Sequence, residues 1–201
     1  MKRMNGPRLH MTVEAALLPG FTPLLQQGVG VSTRTGISLR EFICQELGLS
    51  PVYLETRIQT LFLNGRAVDD LDAAFVEDGS TVALSAAMPG LLGATLRRGS
   101  YYAAMRGEIS YREEASVSAR EEGIVSVKLF NLLVKEVGPI LLDKGVWVPG
   151  VDLLDFLGKR PSQFWTGCVK ATVDDKDLKP HDLLKMKWGE MPVFLQVRQR
   201  D

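Results

Sequence analysis

Leu61-Phe62-Leu63-Asn64-Gly65-Arg66-Ala67-Val68, followed closely by Glu77-Asp78-Gly79-Ser80-Thr81-Val82-Ala83-Leu84, is the stretch on which the fold turns. The apolar run Ile58–Leu63 reads as a strand. Asn64-Gly65 after it is a strong hairpin signal, because the tight turns that match strand twist need positive φ at their central residues. Asp78-Gly79 makes a second turn, and Ser80–Ser85 reads as a closing strand.

Upstream, Ser38-Leu39-Arg40-Glu41 has the capping-box spacing, in which Ser38 bonds a backbone N–H three residues on. Leu39, Phe42, Ile43 and Leu47 follow at helical spacing, and Gly48 is placed to end the helix. Ser50-Pro51 starts a short second helical turn. Before these, Met11–Leu18 and Gln27–Thr33 suit strands, separated by the break at Pro19-Gly20. The order is strand, strand, helix, strand, strand.

The second half repeats it. Val125–Phe130 reads as a first strand. Leu141-Leu142-Asp143-Lys144-Gly145-Val146-Trp147-Val148 parallels Leu24-Leu25-Gln26-Gln27-Gly28-Val29-Gly30-Val31. Gly150–Leu157 parallels Gly36–Ile43, with Asp152 at the cap position that Ser38 holds. Val169–Val173 followed by Asp174-Asp175 answers Ile58–Leu63 followed by Asn64-Gly65. Leu183–Lys187 answers the closing strand, and Met191-Pro192-Val193 answers Met88-Pro89-Gly90. The order is that of a β-grasp domain, and the matches predict an α+β protein of two such β-grasp units in tandem, each a mixed sheet with one main helix. The units are 1–92 and 124–201, joined by a structured connector, 93–123.

Composition narrows the function. The 201 residues hold 24 Lys plus Arg and 24 Asp plus Glu, so the formal net charge is zero. That excludes a strongly basic nucleic-acid binder or an acidic tail protein as the default class. The first hundred residues carry nine basic and nine acidic side chains, the remainder fifteen of each. Cys44 and Cys168 are too few and too far apart for a disulfide framework, and with His10 and His181 they show no metal-ligand spacing. No apolar run approaches the ~18 residues of a membrane span, and the N-terminal basic residues lack a following apolar segment. The expectation is a cytoplasmic protein with no nucleic-acid or membrane partner, no metal and no cofactor.

The words Leu61–Val68 and Glu77–Leu84, with the element order around them, resemble the ThiS/MoaD-type sulfur-carrier family of ubiquitin-like proteins over residues 11–92. Residues 124–198 are similar more faintly. The resemblance implies a β-grasp fold and a chain ending in Gly-Gly, whose carboxylate an adenylating enzyme activates and converts to a thiocarboxylate. Here Pro89-Gly90 stands where that tail begins, but Leu91 replaces the second glycine and the chain continues. The second half ends in Val197-Arg198-Gln199-Arg200-Asp201, without glycine.

No nucleophile–base pair is indicated, so no catalytic residue is expected. Cys44 reads as a small apolar core residue in the helix, and Asp174, Asp175 and Asp177 as a solvated turn. The connector carries the candidate binding surface: Arg97, Arg98, Tyr101, Tyr102 and Arg106, a basic-aromatic run followed by an acidic one. Arginine forks and aromatic rings suit phosphates, bases or peptides. The expected function is therefore a non-catalytic protein-binding or scaffold module. The alternative is a sulfur-carrier precursor cleaved near Gly90 and partnered by an adenylating enzyme.

Overall fold

The computed structural model describes residues 5–111 and 119–200, with Glu108 by its backbone alone. Its strands, in chain order, are β1 Arg8–Val13, β2 Val29–Arg34, β3 Ile37–Ser38, β4 Thr60–Leu63, β5 Arg66–Ala67, β6 Phe75–Val76, β7 Thr81–Ser85, β8 Glu122–Phe130, β9 Val146–Pro149, β10 Cys168–Val173, β11 Lys176–Leu178 and β12 Pro192–Gln199. Its helices are α1 Thr22–Gln27, α2 Leu39–Glu41, α3 Pro51–Arg57, α4 Gly90–Leu96, α5 Leu132–Lys144, α6 Gly150–Gly158 and α7 Ser162–Gly167. The fold is mixed α/β. The chain divides into two compact units: one of residues 31–134, the other of residues up to 30 together with those from 135 onward.

In the unit of residues 31–134, the strands lie in the order β2-β8-β7-β4-β5. Strand β7 pairs with β8 in parallel, Val82 opposite Val127, and with β4 antiparallel, Leu61 opposite Leu84. The β4–β5 hairpin turns through Asn64 and Gly65, whose φ values of 50° and 80° are those the Asn-Gly signal calls for. Asn64 Oδ1 also accepts from the Thr81 N–H at 2.8 Å, tying the turn to β7. Ser38 caps α2 as expected, its Oγ accepting from the Glu41 N–H at 3.2 Å. The helix then widens into a π-helical turn, Phe42–Glu46. Ser50 caps α3 by accepting from the Tyr53 N–H at 3.1 Å, with Pro51 in the first turn. Leu39, Phe42, Ile43, Leu47 and Leu54 are buried with Leu61, Leu63, Val82, Leu84 and Val127. Each such side chain stabilises the unit by ~1.5–3 kcal/mol relative to exposure.

In the other unit the order is β9-β12-β1-β10-β11. Strand β1 runs parallel to β12, Met11 opposite Val197, and antiparallel to β10, Met11 opposite Ala171. Helix α1 is followed by Gly28 and α5 by Gly145, each glycine leading into a strand. Phe21 packs 5.3 Å from the Phe156 ring and 5.6 Å from Phe164. Arg160 lies over Phe156 and donates to the Gly20 carbonyl at 2.9 Å.

Several expectations need correction. The boundaries at 92 and 124 are not those along which the chain divides. The expected opening strand of the first unit, β1, lies with residues 135 onward, and the expected opening strand of the second, β8, lies with residues 31–134. The strand expected over Met11–Leu18 stops at Val13. From Ala15 the chain coils into a 3-10 helix, Ala15–Phe21, because Ala15-Ala16-Leu17-Leu18 favours helical over extended backbone. Asp152 does not cap α6; Pro149 precedes that helix and Asp152 sits inside its first turn. Leu183–Lys187 is not a strand, since Pro180–Lys185 forms a 3-10 helix and β12 closes the sheet instead. Of the acidic run after the connector's arginines, Glu113 and Glu114 lie outside the described residues.

Candidate functional site

The connector packs into structure. Helix α4 and the 3-10 segment Tyr101–Ile109 contact each other, and the Ser100 Oγ donates to the Ala94 carbonyl at 2.6 Å. Farther on, Ser110 bridges Ala67 of β5, and the Tyr111 N–H donates to the Ala67 carbonyl at 2.8 Å. The unpaired side of β5 is thereby covered by the chain's own backbone, which is how sheet edges are kept from pairing with strangers.

The three candidate arginines separate. Arg97 is exposed. Arg98 donates from Nη2 to Glu55 Oε2 at 2.6 Å, and its backbone N–H donates to the Gln59 carbonyl at 2.8 Å. Glu55 also receives Arg40 Nη1 at 2.9 Å. That bond to Arg40, with the charge of Arg98 beside it, holds the Glu55 carboxyl below its ordinary range. Arg106 is buried, only 5% exposed, and its Nη2 bonds both oxygens of Asp69, at 2.7 and 2.9 Å. Asp69 further accepts from the Gly99 N–H at 2.9 Å. Arg106 therefore does not belong to the surface that the sequence suggested. It is an internal clamp whose Nε and Nη1 have no hydrogen-bond partner among the described residues.

The apolar side chains remain outside. Tyr101 is 92% exposed, with its ring edge-on to Tyr102 at 5.6 Å. Leu91, Leu92, Met105 and Ile109 are exposed on the same segment. Sequence reasoning singled out the arginines and tyrosines and passed over these four. The available signal was the absence of any acidic residue from Glu77-Asp78 to Glu108, which leaves this segment with no negative charge. Pro89 and Gly90, the candidate carrier tail, are exposed where α4 begins.

Elsewhere the reactive groups are quiet. Burial pushes the Cys168 thiol up to about 11, and burial likewise raises Cys44. A thiol held protonated is a poor nucleophile. His10 and His181 are not brought together with either cysteine by any hydrogen bond among the described residues. No group of three or more His, Cys, Asp or Glu side chains among the described residues is gathered to hold a metal ion. Asp174 and Asp175 form the β10–β11 turn with φ of 48° and 64°, and Asp177 pairs with Lys170 at 3.2 Å. Trp147 and Trp188 are buried core residues, while Trp165 stacks edge-on against Phe164 and His181. No helix among the described residues is long and apolar enough to cross a membrane.

Comparisons with protein-family models, with curated proteins and with solved structures find no match for this chain.

Proposed function

We propose that the chain is a non-catalytic, ubiquitin-like protein of the cytoplasm that binds a protein partner through the connector. The carrying observation is the division of labour in residues 90–109. Arg98 and Arg106 are consumed by Glu55 and Asp69, while Tyr101, Met105, Leu91 and Leu92 stand exposed. With two of its three arginines paired internally, the segment offers a nucleic acid little charge, and nucleic-acid binding strengthens with each phosphate neutralised. Exposed aromatic and Met side chains are the types enriched at protein interfaces. Support for the ubiquitin-like part comes from strand order: among the described residues the main sheet of each unit takes five strands, with its parallel pair second and third. The test is a chemical cross-linking comparison in native extract between the wild type and Tyr101→Ser/Met105→Ser. The reading expects a discrete cross-linked species that the double variant loses. A species equally abundant in both removes the connector from the interface.

The second reading is a sulfur-carrier precursor, favoured by the exposure of Pro89-Gly90 ahead of α4. It requires cleavage after Gly90 to free a carboxylate for an adenylating enzyme. The intact mass of the protein from its native cells decides it: a fragment ending at Gly90, heavier by exchange of oxygen for sulfur, supports it, and a single species at 22.2 kDa ends it.

A further inference from the structure

The unit that contains β1, β10 and β12 buries one face of this strand trio and leaves the other partly open to solvent. Leu9, Met11 and Val13 of β1, Ala171 and Val173 of β10, and Leu195 and Val197 of β12 form the buried face. Because side chains alternate along a strand, the opposite face carries His10 and Thr12, Thr172 and Lys170, Gln196 and Arg198. The register aligns them in two rows. Thr172 lies opposite His10 and His10 opposite Gln196; Lys170 lies opposite Thr12 and Thr12 opposite Arg198. All six line one open pocket of about 210 Å³.

We infer that this pocket is an anion site that takes a phosphate monoester. The reasoning starts from the second row. Neighbouring strands lie ~4.8 Å apart, so Lys170 and Arg198 rise on either side of Thr12 with stems long enough to converge above its hydroxyl. Two cations and a hydroxyl donor around one point complement a tetrahedral anion. Among the described residues Arg198 spends only its Nε, on Asp143 Oδ1 at 3.1 Å, leaving the two terminal nitrogens of the fork for a ligand. Lys170 is engaged by Asp177 alone among the described residues, at 3.2 Å. Both pairs are exposed. Such pairs contribute little, roughly 0–1 kcal/mol, so an anion can displace the carboxylates.

The first row is fixed rather than free. Gln196 Nε2 donates to the Asp143 carbonyl at 2.6 Å, which turns its Oε1 toward His10. That oxygen only accepts, so the His10 Nδ1, 2.7 Å away, carries the hydrogen. The bond orients the imidazole and leaves Nε2 without a hydrogen-bond partner among the described residues. Next to it the Phe194 ring lies 6.3 Å from the His10 ring and supports Arg8 on its face at 4.8 Å. The pocket volume exceeds that of a bare phosphate, and this row of His10, Thr172 and Gln196 offers polar contacts to the organic part of an ester.

The experiment titrates the full-length, isotopically labelled chain with inorganic phosphate and then with phenyl phosphate, following backbone amides by NMR. The inference expects saturable shifts confined to β1, β10 and β12, stronger for the ester. Lys170→Gln/Arg198→Gln should weaken binding by about tenfold or more, the size of a lost charge-assisted bond. Asp143→Asn/Asp177→Asn should tighten it about threefold or more, because two exposed competitors are removed. If the first double variant does not fold, as judged by its amide dispersion, the second decides alone. Shifts that do not saturate below about 20 mM, shifts scattered over other basic residues, or weaker binding in Asp143→Asn/Asp177→Asn would each overturn the inference. Equal affinity for phosphate and phenyl phosphate would overturn the ester assignment.

Discussion

Arg106 and Asp69 form an asymmetric pair: the guanidinium is almost wholly buried while the carboxylate is 43% exposed, and both carboxylate oxygens receive one Nη2. The connector is therefore fastened by a charge placed on the inside and neutralised from the outside. Removing the outer partner strands a cation in the interior, whereas replacing the inner one with an apolar chain leaves only a solvated carboxylate.

The two single variants should accordingly differ. Asp69→Ala should destabilise the protein by about 3 kcal/mol, the scale of an uncompensated buried charge. Arg106→Met should cost less than half of that. Urea unfolding of both variants checks the order, and equal losses would show that packing of the Arg106 stem, not its charge, governs the clamp.

The Cys168 thiol sets a pH dependence at the alkaline end. Its ordinary value near 9 is raised to about 11 by burial. Between those values the folded chain keeps a proton that the unfolded chain releases, so stability is fully present below pH 9 and declines as pH rises toward 11. The loss is about 2–3 kcal/mol for two pH units. Cys168→Ala should flatten the difference between pH 8.5 and 11 by that amount relative to wild type. The same burial should make Cys168 slower to react with iodoacetamide at pH 8 than a cysteine of the urea-unfolded chain.

The two tight turns invite opposite substitutions. Gly65 at φ 80° has no close neighbour for an added Cβ, so Gly65→Ala should cost about 1 kcal/mol through backbone strain alone. Asp175 holds φ 64° at the matching place in the other unit. Asp175→Gly should therefore stabilise by about 0.5–1 kcal/mol. Thermal unfolding of both variants tests the pair, and a destabilised Asp175→Gly would show that its side chain contributes more than its backbone conformation costs.

Gly145 is a packing glycine as well as a turn glycine. Its φ is 93°, and a Cβ there would overlap the Phe194 ring. Gly145→Ala should cost about 3 kcal/mol or more from strain plus overpacking. Adding Phe194→Leu should recover part of the loss. Additive losses in the double variant would place the cost in the backbone alone.

What could be read from the sequence was local. Asn64-Gly65, Ser38 and Ser50 state their conformations through chemistry that acts over three or four residues, and all three behave as their spacing demands. Asp174-Asp175 was legible as a turn for the same reason. The pairing of β7 with β8 and of β1 with β12 was not legible. An alternating apolar strand specifies which face is buried and says nothing about which distant strand lies beside it. Arg106 was misplaced because its residue type is almost never buried unless paired, and its partner Asp69 lies far back in the chain. The grid of His10, Thr12, Lys170, Thr172, Gln196 and Arg198 was present as polar alternation in three strands, but only the register unites it.

The parallel pairing of β1 with β12 also fixes a timetable. Strand β1 leaves the ribosome long before its parallel neighbour, since the residue opposite Met11 is Val197. At about 5–20 residues per second, β1 waits ~10–40 s for that partner. The β7–β8 pair is complete once residue 130 has emerged, so residues 31–134 can close while the nascent chain is still being extended. Strand β1, apolar on one face, thus first meets a partner when β10 emerges and is enclosed between two strands only once β12 has followed it.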